Sequence, residues 1–326
     1  MEHTIIIGAG PCGIACALAL QDKGIEPLII EKGNIVNTIY HYPIHQTFFS
    51  SSDKLEIGDI PFINEKAKPV RLDALAYYRE VVNRRNVRIH SFEEMKHINK
   101  INEQCFQVVT DKSHEEVTYF AKHIIIATGY YDQAQLLHIS GETLPKVTHY
   151  FKEAHPYYKQ NVVVIGGKNS AVDTTIELQR AGANVTVLYR GSNYSTSIKP
   201  WILPAFESLV RRKLIQMEFN AEVNEITEDR VTYTVNGTKK NIKNDYVFAM
   251  TGYMPDIDLM SSLGIEIDLH TGRPTYNPET YETNVKNMYV AGVVISGYNG
   301  NETFIENGRH HGEKIANYIA SHSVQK

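Results

Sequence analysis

Residues 5 to 33 read IIIGAGPCGIACALALQDKGIEPLIIEKG, and residues 163 to 191 read VVIGGKNSAVDTTIELQRAGANVTVLYRG. An offset of 158 positions aligns Gly8 with Gly166, Gly24 with Gly182 and Gly33 with Gly191. Each copy holds an apolar β-branched run, a glycine-rich turn, a helical pattern with a glycine near its end, and a second apolar run. That is strand–turn–helix–strand, the opening of a doubly wound parallel sheet. One such match is a weak signal. Two in register, a domain length apart, constrain the fold strongly.

Three further apolar runs end in glycine: HIIIATG at Gly129, YVFAMTG at Gly252 and NMYVAG at Gly292. In open α/β sheets ligands gather at the carboxyl ends of strands, so Ala127, Thr128, Gly129, Thr251, Gly252 and Gly292 are expected on crevice walls. The order along the chain is first copy, ATG run, second copy, TG run, then a last strand and helix. The expected fold class is α/β with two Rossmann-like dinucleotide-binding domains, the second inserted into the first. Residues 1–132 and 254–326 form one domain in this reading, and 133–253 the other. A chain of 326 residues, 42% hydrophobic and 21% charged, has the length and balance for two such cores.

A net charge of −4 argues against general affinity for nucleic acid or anionic membrane. Mean hydropathy is −0.30, and no run approaches the ~18 apolar residues of a membrane span. The N-terminal MEHTIIIGAG has no basic leader or cleavage site and reads as a first strand. Cysteine is sparse and odd in number (Cys12, Cys16, Cys105), which fits a reducing cytoplasm without a disulfide framework. No His/Cys/Asp cluster has metal spacing, so no metal is expected.

Gly8, Gly10 and Gly13 form GxGxxG directly after a strand and before a helix. Gly8 permits the tight turn, Gly10 lets backbone approach a pyrophosphate, and Gly13 allows close helix–strand packing. Pro11, inside the turn, is counted among its contacts. Glu31, with Lys32 beside it, ends the second strand, where a carboxylate accepts the hydroxyls of an adenosine ribose. The second copy differs. Its turn is Gly166-Gly167-Lys168-Asn169-Ser170-Ala171, with Lys168 in place of the second motif glycine. Tyr189 replaces the carboxylate, and Arg190 and Ser192 follow. A missing acid plus a guanidinium suits a ribose 2′-phosphate, which favours NADPH over NADH.

There is no CxxC. Cys12 and Cys16 fall four apart on the predicted first helix and share a face. Cys12 lies inside the pyrophosphate turn, where the helix N-terminus lowers a thiol pKa and a pyrophosphate raises it. Cys16 reads as a small core residue, and Cys105 as a loop-to-strand residue without an evident partner. His310 and His311, on the last helix, are read as surface residues. HYFKEAHPYYK reads as a packed interdomain connection. For Trp201 in KPWILP a pocket wall and a core role are both open. Arg211-Arg212-Lys213 reads as a solvated helix face.

Taken together, GAGPCG (8–13), HQTFFSSSDKL (45–55), ATGYY (127–131), HYFKEAHPY (149–157), IGGKNSA (165–171), VLYRG (187–191), SIKPWILP (197–204) and FIENG (304–308) resemble the YpdA-type bacillithiol disulfide reductases, thioredoxin-reductase-like enzymes without CxxC. The resemblance runs through nearly the whole chain. It implies FAD at the first turn, NADPH at the second, and reduction of bacillithiol disulfide. It implies that Cys12 is the redox-active catalytic residue and that Gln46 and Thr47 lie close to the flavin. It also implies a bacilliredoxin-type protein partner and a homo-oligomer. Thioredoxin-reductase-like enzymes usually carry GD at the final strand, but here Val293 follows Gly292. A helix starting near Thr303 and Phe304 is expected to present N–H groups to the flavin instead.

Two other readings compete. A ferredoxin- or flavodoxin-NADP reductase of the same fold needs no thiol but requires a basic docking patch. A non-catalytic flavin/NADPH redox sensor needs an output module, which the sequence does not contain.

Overall fold

The computed structural model describes residues 1–323. The chain divides into two compact units, Met1–Gln133 with Tyr253–Lys326 and Ala134–Gly252. The first opens with β1 (Glu2–Ile7), α1 (Pro11–Gln21) and β2 (Leu28–Glu31). Ile5, Ile6 and Ile7 are buried, as β-branched side chains are in a strand covered on both faces. α1 begins at Pro11, whose missing N–H is no loss at a first helical position. Its Gly13 to Leu18 are all buried, because the sheet covers one side and a later helix the other.

Next come α2 (Asn37–His41), α3 (Arg71–Arg85), β3 (Ile89–Ser91) and an antiparallel meander of β4 (Glu93–Asn102), β5 (Cys105–Lys112) and β6 (Glu115–Ile126). β6 serves two neighbours in turn. Its first half pairs antiparallel with β5, and its second half runs parallel to β1, from Ala121 opposite Glu2 to Ile126 opposite Ile7.

The second unit carries β7 (Val147–Thr148), β8 (Asn161–Ile165), α4 (Asn169–Arg180), β9 (Asn184–Leu188), α5 (Leu203–Arg211) and β10 (Gln216–Glu218). An antiparallel trio, β11 (Ala221–Ile226), β12 (Arg230–Val235) and β13 (Thr238–Lys243), precedes β14 (Tyr246–Ala249). Its main sheet, β10-β9-β8-β14-β7, is parallel throughout. Phe151 and Tyr157 of the HYFKEAHPYYK run pack edge-on against Phe248 of β14, inside this unit's own core.

The chain then returns to the first unit with α6 (Ile257–Ser262), β15 (Ile267–Asp268), β16 (Arg273–Pro274), β17 (Met288–Val290), α7 (Ile305–Gly308) and α8 (His311–Ser323). α8 lies on α1 so closely that a Cβ on Gly312 would sit 2.7 Å from the Cys16 Cα. In both units the first strand of the repeat lies between the repeat's second strand and a later one, β2–β1–β6 and β9–β8–β14. Chain direction around the sheet reverses there, which opens a crevice at the carboxyl ends. No described helix is long and apolar enough to cross a membrane.

Candidate functional site

The first glycine turn rests on contacts that a side chain would break. Gly8 has φ +107, and a Cβ there would lie 2.6 Å from the Ala127 carbonyl oxygen. A Cβ on Gly13 would lie 2.0 Å from the Gly8 carbonyl oxygen. Gly10 is different: nothing stands within 4 Å of where its Cβ would project. Gly8 and Gly13 therefore serve the fold, while Gly10 keeps a cradle open at the start of α1, which has no side-chain cap. Uncapped N–H groups beside such a cradle suit a pyrophosphate, so these residues fit a dinucleotide.

Glu31 is buried at the end of β2. Its Oε2 accepts from the Ala9 N–H at 2.8 Å and its Oε1 from the Gly33 N–H at 2.7 Å. Burial pushes the carboxyl up, against the pull of those two donors. Each oxygen retains a lone pair for a ribose hydroxyl. Lys32, half-exposed, pairs with Asp132 at 2.8 Å. Beyond β6, Gly129 turns at φ +73 just after Ala127 and Thr128. Gln46 donates to the Thr47 carbonyl, and exposed Thr47 bridges to Val70. Arg309 donates to the carbonyls of Asp53 and Glu56 at 2.8 and 2.7 Å, while Ser50 bonds Glu306. Ser50 and Asp53 thereby tie the 45–55 segment to α7 and to the residue that follows it.

Cys12, near the start of α1, is half-buried. A Cβ on Gly292 would come within 3.2 Å of its sulfur, and one on Gly308 within 2.8 Å. Burial pushes its thiol up to about 12, so the resting form is protonated. Cys16 is wholly buried against α8, and Cys105 opens β5. Gly308 was not legible as a neighbour of Cys12; the only signal was the glycine ending FIENG.

Two expectations are corrected here, and a choice left open is narrowed. The helix expected from Thr303–Phe304 is the single turn α7. Thr303 is buried against Ser296, and the Phe304 N–H is already donated to Asn307 Oδ1 at 2.8 Å. His311 is not a surface residue. It is 5% exposed, accepts the Gly292 N–H at Nδ1 and stacks on Tyr281, and burial pushes it down to about 4; His310 is exposed. Trp201 is 56% exposed, which removes the core reading. Arg211, Arg212 and Lys213 are exposed where α5 ends.

In the second turn Gly166 has φ +135, and a Cβ there would meet the Met250 carbonyl oxygen at 2.4 Å. Gly167 is buried under the ring of Tyr189. Asn169 does not offer its amide to a ligand: Nδ2 donates to the Ser197 carbonyl at 3.0 Å, and Oδ1 accepts from the Lys199 N–H at 2.9 Å. Thr251 donates to the Gln135 carbonyl, and Gly252 follows at φ +108. Lys168, Ser170, Arg190 and Ser192 are exposed. Among the described residues Arg190 forms no ion pair. A guanidinium and an ammonium without a carboxylate fit a nucleotide carrying an extra phosphate.

Residues 5–292 match the model of the pyridine nucleotide-disulphide oxidoreductase family. The chain is 57% identical over 321 residues, 98% of each chain, to "Bacilliredoxin reductase Bdr" of Bacillus subtilis. Solved structures titled bacillithiol disulfide reductase Bdr (YpdA) superpose closely. That from Bacillus cereus gives a TM-score of 0.97 at 59% identity, covering 98% of this chain and 99% of its own. That from Staphylococcus aureus gives 0.95 at 55% identity, covering 98% of both.

Proposed function

The chain belongs to the pyridine nucleotide-disulphide oxidoreductase family, and we propose that it is an FAD-dependent reductase of bacillithiol disulfide that draws its electrons from NADPH. The observation that carries this reading is whole-length identity of 55–59% to proteins titled bacillithiol disulfide reductase, together with the glycine cradle in this chain.

FAD is assigned to the first unit, held by Gly8, Gly10, Pro11, Gly13 and Glu31, with Gly129 and Gly292 on the crevice wall. NADPH is assigned to the second, held by Gly166, Gly167, Lys168 and Ser170 and read at its 2′-phosphate by Arg190 and Ser192. When bound, the flavin supplies two-electron transfer between a nicotinamide and a disulfide. The chain's own part is positioning: glycine turns orient the two dinucleotides, and Lys168 and Arg190 supply charge-assisted contacts. A bacilliredoxin-type protein is the second acceptor, in keeping with the printed name of the Bacillus subtilis relative.

The test is NADPH consumption by FAD-loaded protein against bacillithiol disulfide, glutathione disulfide, a bacilliredoxin-type protein and ferredoxin. Turnover is expected with bacillithiol disulfide, with the oxygen-dependent background alone for glutathione disulfide and ferredoxin. Preferential reduction of ferredoxin, or no turnover of bacillithiol disulfide, would overturn the assignment.

A further inference from the structure

The two copies of the repeat solve one structural problem with opposite chemistry. In the first, Glu31 braces the glycine turn to the end of β2 by accepting the N–H groups of Ala9 and Gly33. The same offset of 158 carries Ala9, Glu31 and Gly33 onto Gly167, Tyr189 and Gly191. The Tyr189 ring spans that second pair. A Cβ on Gly167 would lie 2.4 Å from its Cγ, and one on Gly191 would lie 2.5 Å from its Cε1 and 2.9 Å from its hydroxyl oxygen. The backbone beneath the ring is pinned, because the Tyr189 N–H donates to Glu218 at 3.0 Å and its carbonyl accepts from Ala221 at 3.0 Å. The brace is therefore van der Waals contact, and it tolerates only glycine at both ends.

This exchange has a consequence for ligand recognition. In the first copy the two brace amides are consumed by a carboxylate. In the second no acceptor takes them: among the described residues the N–H groups of Gly167 and Gly191 donate no hydrogen bond. Gly167 is buried under the ring, whereas half-buried Gly191 lies between exposed Arg190 and Ser192. We propose that Tyr189 is a specificity-determining residue for a 2′-phosphorylated nucleotide. By bracing the turn without a carboxylate it leaves the half-buried Gly191 amide without an internal acceptor and holds the Arg190–Ser192 segment where a 2′-phosphate is read. This rests on the assignment of NADPH to the second unit. A carboxylate at position 189 would occupy both amides and repel the phosphate.

The experiment measures dissociation constants of NADP⁺ and NAD⁺ on FAD-loaded protein by calorimetry, so that turnover is not the readout. Tyr189→Glu rebuilds the first copy's brace. It should cut the preference for NADP⁺ by about a hundredfold, through the lost Gly191 amide and added like-charge repulsion. Tyr189→Phe keeps the ring and should keep the preference. Gly191→Ala pushes the ring aside and should reduce the preference by about tenfold, through displaced phosphate contacts. Circular dichroism melting confirms that each variant is folded, and Tyr189→Phe with Gly191→Ala stands in should Tyr189→Glu fail to fold. If wild type prefers NADP⁺ and folded Tyr189→Glu and Gly191→Ala keep that preference, the inference fails while the NADPH assignment stands. If wild type itself binds both equally, the NADPH assignment fails and takes the inference with it.

Discussion

Gly10 and Gly13 belong to one motif, yet the structure separates their roles, and alanine at each should give opposite phenotypes. Gly10 sits at φ −72 and ψ 172, a conformation any L-residue adopts, with no atom within 4 Å of its missing Cβ. For the flavin-free chain, Gly10→Ala narrows the unfolded ensemble, worth about 0.4–1 kcal/mol. A poorer N-cap residue costs roughly the same, so net stability should move by less than about 0.5 kcal/mol. The new methyl occupies the path of the pyrophosphate. Overpacking of that kind costs about 1–3 kcal/mol, so FAD should bind on the order of tenfold to a hundredfold more weakly. A β-branched residue there should strip it. Gly13→Ala instead drives a Cβ to 2.0 Å from backbone oxygen and must displace α1. It should cost about 3 kcal/mol or more with or without flavin. The assay pairs urea unfolding of stripped protein with FAD titration by flavin fluorescence. Gly10→Ala that unfolds far more easily than wild type when stripped, or that binds FAD unchanged, would refute the division of labour.

Arg190→Ala should weaken NADPH binding by about tenfold to a hundredfold, the worth of one charge-assisted contact, and leave NADH unaffected; equal losses with both would make Arg190 a structural residue. Cys12→Ala, with FAD occupancy confirmed, tests whether that thiol loses its proton, attacks a substrate sulfur and expels the other half as a thiolate. If it does, disulfide turnover should vanish while oxygen-dependent NADPH oxidation persists, whereas unchanged turnover would eliminate the covalent role. A thiol held near 12 should also make alkylation of Cys12 far slower than that of an ordinary exposed cysteine at pH 7. His311 is held near 4 against an ordinary 6.5, so the unfolded chain takes up a proton that the folded chain refuses. Stability present above pH 6.5 should fall by up to about 3 kcal/mol as pH drops toward 4, and half-buried His123, also held near 4, should add to the loss. Urea midpoints at pH 7, 5.5 and 4 measure this, and His311→Gln should show a smaller fall than wild type.

The strand–turn–helix–strand elements were legible because their signals are local. An Ile-Ile-Ile run before GxGxxG can satisfy its backbone and bury its side chains in few ways. The positions of Gly129, Gly252 and Gly292 were equally plain, and all three adopt positive φ. Contacts made across the fold were not. Nothing near His311 says that its ring will meet the Gly292 amide and Tyr281, because an adjacent pair of histidines has the same local pattern buried or exposed. Phe304 reads as the start of a helix aimed at the flavin, but the Asn307 side chain takes its N–H.

The exchange of Glu31 for Tyr189 shows where that boundary lies. Alignment of the copies places tyrosine at the acid's position, and sequence alone reads this as the loss of a ribose contact. Only the packing shows that something replaces the acid's second task, tying turn to strand end, and that the replacement depends on Gly167 and Gly191 together. The three positions act as one unit, so single-residue reasoning at any of them misses the other two. An acid changed to alanine would have left the turn without its brace. A ring lying on two glycines keeps the turn braced without a carboxylate beside the ligand. On this argument the difference between the nucleotide sites is a change of brace as well as a change of charge.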